Sequence, residues 1–95
     1  MKIYSLYDKK AEKFGTPFTT INHNVAIREF AMACNEPKSP MFMYPEDIEL
    51  TYIGDFDEIT GTIKAEKPIT LTCAKEFRKE TKNVEIPIGQ TNGNN

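Results

Sequence analysis

Tryptophan is absent from this chain, histidine occurs once, cysteine twice and glycine only five times in 95 residues. Each scarcity excludes something. A lone histidine, His23, has no partner in sequence for a metal site or a catalytic triad, and it reads as a surface or capping residue beside Asn22 and Asn24. Cys34 and Cys73 form no C-x-x-C pair with further Cys or His nearby, which removes a structural zinc site. Spacing alone leaves a disulfide between them open. Two cysteines in apolar surroundings are more often buried thiols, so the compartment reads as reducing.

The glycines build no G-x-G-x-x-G, G-x-x-x-x-G-K or G-x-S-x-G string, and phosphate-loop and nucleophile-elbow chemistry go with them. Long apolar runs are missing too: nothing approaches the roughly 20 residues that span a bilayer. Charged residues enter by Lys2 and Asp8, before a signal-peptide core can form, so an intracellular protein without membrane attachment is expected. No catalytic residues, metal or other cofactor are expected, and the chain reads as a binding protein rather than an enzyme.

What is present fits one small domain. Hydrophobic residues make up 39% of the chain, enough for one core, and the formal net charge of −2 argues against non-specific coating of DNA. The charges are segregated. Lys2, Lys9, Lys10 and Lys13 outnumber Asp8 and Glu12 at the start. Residues 44–60 hold Glu46, Asp47, Glu49, Asp55, Asp57 and Glu58 without a Lys or Arg, and residues 61–82 are basic again.

Alternation and β-branched or aromatic content predict a strand at Lys2–Tyr7, with Ile3 and Tyr7 on one side and Tyr4 and Leu6 on the other. A polar loop over 8–13 and a turn at Phe14-Gly15 lead into a short edge strand marked by Pro17. After an asparagine cap, Ile27, Phe30, Ala31 and Cys34 fall at i, i+3, i+4 and i+7, which predicts a helix over about residues 24–35 closed by Pro37. Residues 38–44 read as an apolar loop. Ile48, Leu50 and Tyr52 alternate in a strand over 47–53. Strands at 62–65 and 68–73 follow, the first turning back across the Asp55–Gly61 loop. The expected fold is α+β: a small antiparallel sheet of four to five strands with one helix on a face, spanning residues 1–75. Residues 76–95 should form a charged and then polar tail, at least partly disordered.

The Asp55–Gly61 loop brings three carboxylates and a glycine together, yet Ile59 stands where an EF-hand needs an oxygen ligand, so a solvated hairpin loop is the better reading. The candidate that remains lies at the start of the chain. Tyr4, Tyr7, Phe14 and Phe18 interleave with Lys9, Lys10 and Lys13, and Arg28 follows on the helix. Bases stack on rings while ammonium and guanidinium groups meet phosphates, so this is a candidate surface for single-stranded nucleic acid. At least half of these rings should nevertheless fill the core of so small a domain.

Several blocks stand in one order: Lys2-Ile3-Tyr4-Ser5-Leu6-Tyr7-Asp8-Lys9-Lys10-Ala11, Phe14-Gly15, Pro17-Phe18, Ala26-Ile27-Arg28 with Phe30, Pro45-Glu46-Asp47 before Glu49-Leu50, and Ile53-Gly54-Asp55-Phe56-Asp57 with Thr60-Gly61. Over about residues 1–75 the chain thereby resembles the small nonstructural proteins of gokushovirus-like microviruses, which are single-stranded DNA phages. It departs from their usual look at Ile48, where an aromatic is common, and in the loop Pro40–Tyr44. The resemblance implies a protein of the bacterial host cytoplasm, absent from the virion. It would assist single-stranded DNA synthesis or genome packaging, the partner classes implied being single-stranded DNA itself and phage replication or capsid proteins. An adaptor that binds the replication initiator or capsid precursor, or that forms a homo-oligomer, is the alternative; the acidic segment 44–60 and the apolar loop 41–44 would supply its interface.

Overall fold

The computed structural model describes residues 1–78. Its elements are β1 (Lys2–Asp8), β2 (Lys13–Phe14), β3 (Phe18–Thr20), α1 (His23–Ala33), α2 (Pro40–Met43), β4 (Ile48–Phe56) and β5 (Ile63–Cys73), closed by a 3-10 turn at Ala74–Glu76. The fold is α+β, as expected. All strand pairings are antiparallel. β4 runs along the whole of β1 on one side, so β2 and β3 share its other side, pairing Tyr7 with Phe14 and Tyr4 with Phe18. β5 lies beyond β4 and completes a five-stranded sheet.

Strand alternation decides what the helix covers. Tyr4 and Leu6 of β1 share a face with Ile48, Leu50 and Tyr52 of β4, and α1 lays Ala26, Phe30 and Cys34 onto that face. Ile27, Ala33 and Phe18 pack alongside. Burying a side chain such as Leu50 or Phe30 contributes about 1.5–3 kcal/mol each, and these few residues carry most of the core. α1 starts where the sequence signals it: the Asn22 side chain accepts from Val25 N at 2.9 Å. Its last helical residue is Ala33, and Cys34 is the C-cap.

Three local expectations need correction. The two strands expected at 62–65 and 68–73 are one strand. Its pairing with β4 is interrupted between Tyr52–Ile69 and Gly54–Ala65, and Pro68 falls inside that irregularity, where a missing N–H costs no ladder bond. The apolar loop contains a helical turn, because Ser39 caps α2 by accepting from Phe42 N and Pro40 supplies a first helical residue with fixed φ. Packing also continues past residue 75. The Phe77 ring meets Phe30 edge-on at 6.2 Å, and Arg78 donates from Nε to Phe42 O at 3.0 Å with its guanidinium 3.7 Å above the Phe42 ring. The rest of the expected tail, 79–95, lies outside the described residues.

Candidate nucleic-acid interface

The β1–β2 hairpin is braced by its own backbone and by one carboxylate. Asp8 Oδ1 accepts from Lys10 N at 2.9 Å and Ala11 N at 3.1 Å, while Glu12 adopts a left-handed φ of 59° and donates to Asp8 O at 2.8 Å. Lys10 and Lys13 are consequently held at the surface. Ser5 Oγ donates to Gly15 O, and Gly15 N to Leu6 O, both at 2.8 Å, which fixes the chain leaving the hairpin.

Tyr7 alternates away from Tyr4 and Leu6, onto the face that α1 does not cover. There its ring lies 4.7 Å from that of Phe14, and Phe14 is 44% exposed. This pair is a tilted aromatic platform beside the lysine-bearing loop.

The other residues of the expected surface divide differently. Tyr4 is 0% exposed, so it has no ring face for a base. Its ring packs among Phe18, His23 and Tyr52 at 5.7–6.0 Å, and its hydroxyl is 2.8 Å from His23 Nδ1. Phe18 is half-buried against Tyr4 and serves the core. Arg28 is exposed on α1, on the opposite side of the sheet from Tyr7 and Phe14, because the helix covers the other face. Lys9 is at the hairpin, but its Nζ lies 3.8 Å from Glu49 Oε2, and Glu49 is the β4 partner of Tyr7. The structure therefore gathers Tyr7 and Phe14 with Lys9 and Lys10 of the hairpin, and leaves Tyr4, Phe18 and Arg28 out; Lys13 alternates with Phe14 and, paired with Asp8, lies with Leu6 and Ile48 toward the other face.

His23 is more than a cap. Its ring fills the space between Tyr4 and Tyr52, 4.9 Å from the latter. Nearby, Tyr52 OH donates to Asp55 Oδ2 at 2.9 Å and Lys2 Nζ to Asp55 Oδ1 at 3.2 Å. The Tyr52 hydrogen bond first, then the Lys2 one, hold the Asp55 carboxyl below its ordinary value. Burial and the neighbouring Asp55 push the Tyr52 phenol up to about 12. No sequence spacing announces this group, since its members come from β1, α1 and β4.

Both cysteines are free. Cys34 belongs to the core, where burial pushes its thiol up to about 11, while half-buried Cys73 donates from Sγ to Pro45 O at 3.3 Å. In the 57–61 turn, Asp57 Oδ1 accepts from Ile59 N and Thr60 N at 2.9 and 3.2 Å, so this carboxylate holds its own hairpin. Among the described residues no group of three or more His, Cys, Asp or Glu is arranged to hold a metal ion, and no helix is long and apolar enough to cross a membrane.

Comparison with known proteins accounts for most of the described chain. Residues 1–77 match the family model described as Phage ORF5 protein. Protein ORF5 of Chlamydia phage 1 is 37% identical over 65 residues, covering 64% of this chain and 68% of that protein. No solved structure matches.

Proposed function

This chain belongs to the phage ORF5 protein family, and on that premise we propose that it is a non-enzymatic nonstructural protein that binds single-stranded DNA during phage DNA synthesis or packaging. It acts in the host cytoplasm and stays out of the virion. The observation that carries the DNA reading is the Tyr7–Phe14 pair on the helix-free face, with Phe14 exposed and Tyr7 half-buried, at the hairpin that carries Lys9 and Lys10. A base stacks on a ring whatever its identity, and lysines beside the ring meet the flanking phosphates, so the surface suits single strands without strong sequence preference.

Fluorescence anisotropy with a labelled oligonucleotide at low ionic strength tests this. Binding should weaken with added salt. Phe14→Ala should cost about 1–3 kcal/mol of affinity, the range for one base–aromatic stack. Lys9→Glu with Lys10→Glu should lower both affinity and salt slope. Salt-insensitive binding, or full affinity in all these variants, would refute the assignment.

A further inference from the structure

A cleft of about 400 Å³ opens at the other end of the sheet, between the start of β1, the end of β4 and the turn that follows it. Its apolar lining includes Ile21, which is 70% exposed, and Ile59, which is 95% exposed at the tip of a turn. Tips of turns ordinarily carry polar residues, and isoleucine is a poor choice there. Two isoleucines left open on one cleft are the composition of a docking surface rather than of a solvated loop.

The same cleft is acidic. Asp55, Asp57 and Glu58 line it together with Lys2. Lys2 is engaged by Asp55 at 3.2 Å, and the Met1 ammonium donates to Phe56 O at 2.9 Å. Asp57 Oδ1 is taken by two backbone N–H groups. The same two N–H groups and, more weakly, the Met1 ammonium hold the Asp57 carboxyl below its ordinary value, which leaves Glu58 as the cleft carboxylate without an ion pair among the described residues. The turn is stiff, with Asp57 N donating to Thr62 O at 2.9 Å and Gly61 N to Asp57 O at 2.7 Å, so this carboxylate is presented with little ordering cost.

We infer that this acidic, isoleucine-lined cleft docks a segment of a partner protein in which an arginine stands beside an aliphatic side chain. Nucleic acid is repelled by the carboxylates. A neutral apolar peptide would leave Glu58 uncompensated at the interface. An arginine answers both requirements: its guanidinium forks onto a carboxylate, and its stem and an adjacent aliphatic residue cover Ile21 and Ile59. The site lies at the opposite end of β1 from the Lys9–Lys13 loop, since Lys2 pairs with Asp55 whereas Asp8 pairs with Lys13 and Ile48. It therefore stands independently of DNA binding and would let one molecule hold both a strand and a protein.

The probe is the capped hexapeptide Arg-Leu-Arg-Leu-Arg-Leu, titrated into the full chain with isoleucine methyl groups labelled for NMR. The Ile21 and Ile59 methyl resonances should shift together. Glu58→Lys should weaken binding at least tenfold and Ile59→Ser at least threefold, with folded spectra in both. The corresponding Arg-Ser peptide should bind at least fivefold more weakly, and the Glu-Leu peptide should leave both methyls unmoved. Unshifted Ile21 and Ile59, equal binding by Glu58→Lys, or equal binding of the Arg-Ser or Glu-Leu peptide would overturn the proposal. Shifts of these methyls with protein concentration alone would assign the cleft to a second copy of the chain and overturn it as well.

Discussion

Thr51 sits in the middle of the sheet, between Ser5 of β1 and Thr70 of β5, and is 2% exposed. Its hydroxyl is closed off without a hydrogen-bond partner among the described residues. A buried hydroxyl that has lost water and gained nothing costs roughly 1–3 kcal/mol, whereas valine keeps the shape and the β-branching. Thr51→Val should stabilise the protein by about 1 kcal/mol, read as a higher urea midpoint; a loss of stability would reveal a partner for Oγ1. Titrating residues make a second forecast. Asp55 is held low by Tyr52 and Lys2, and Asp57 by the backbone N–H groups of Ile59 and Thr60. A folded pKa below the unfolded one adds stability above the unfolded value of about 3.9, and that stability is lost as pH falls through the folded value. Tyr52, raised to about 12, adds stability below about pH 10 that is lost as pH climbs toward 12. Stability should thus fall at both extremes. Asp57→Asn should flatten the acid limb, and Tyr52→Phe should remove the latest step in a tyrosinate absorbance titration.

At the scale of elements, local rules worked where one segment carries its own signal. Asn22 and the i, i+3, i+4, i+7 spacing located α1, and alternation placed Ile48, Leu50 and Tyr52 on one face of β4. They failed where a neighbour decides. Pro68 argued for two strands, yet β5 passes through it because the pairing with β4 lapses there. The Ser39-Pro40 cap signal for α2 was present but hidden by the run of apolar residues behind it. Gly54 shows how tightly the β4–β5 hairpin is matched at the other end of that irregularity. A Cβ on it would stand 2.5 Å from Lys64 O, a backbone atom that can move only with its strand. Gly54→Ala should cost about 1–3 kcal/mol by chemical denaturation, the usual cost of overpacking. Asn22→Ala should cost about 1 kcal/mol, since it strips Val25 N of its cap.

For the whole molecule, the sequence could say which residues share a face but not which face the helix would take. That one choice put Tyr4 in the core, left Tyr7 with Phe14 outside and carried Arg28 to the far side. Charge placement was equally invisible. The acidic segment looked separate from the basic start, yet antiparallel pairing of β1 with β4 sets Glu49 against Tyr7 and within 3.8 Å of Lys9, while Glu58 goes to the opposite end. The two carboxylates therefore make different forecasts for DNA. Glu49 both repels a phosphate on that face and occupies a lysine that would otherwise meet it. An exposed pair of this kind is worth about 0.2–1 kcal/mol, so Glu49→Gln should tighten oligonucleotide binding by roughly 1.4-fold to fivefold. Glu58→Gln, at the other end and more than a Debye length of about 10 Å away across the length of β1, should leave it unchanged at 0.1 M salt. If the two substitutions acted alike, DNA would be responding to net charge and not to the Tyr7–Phe14 face.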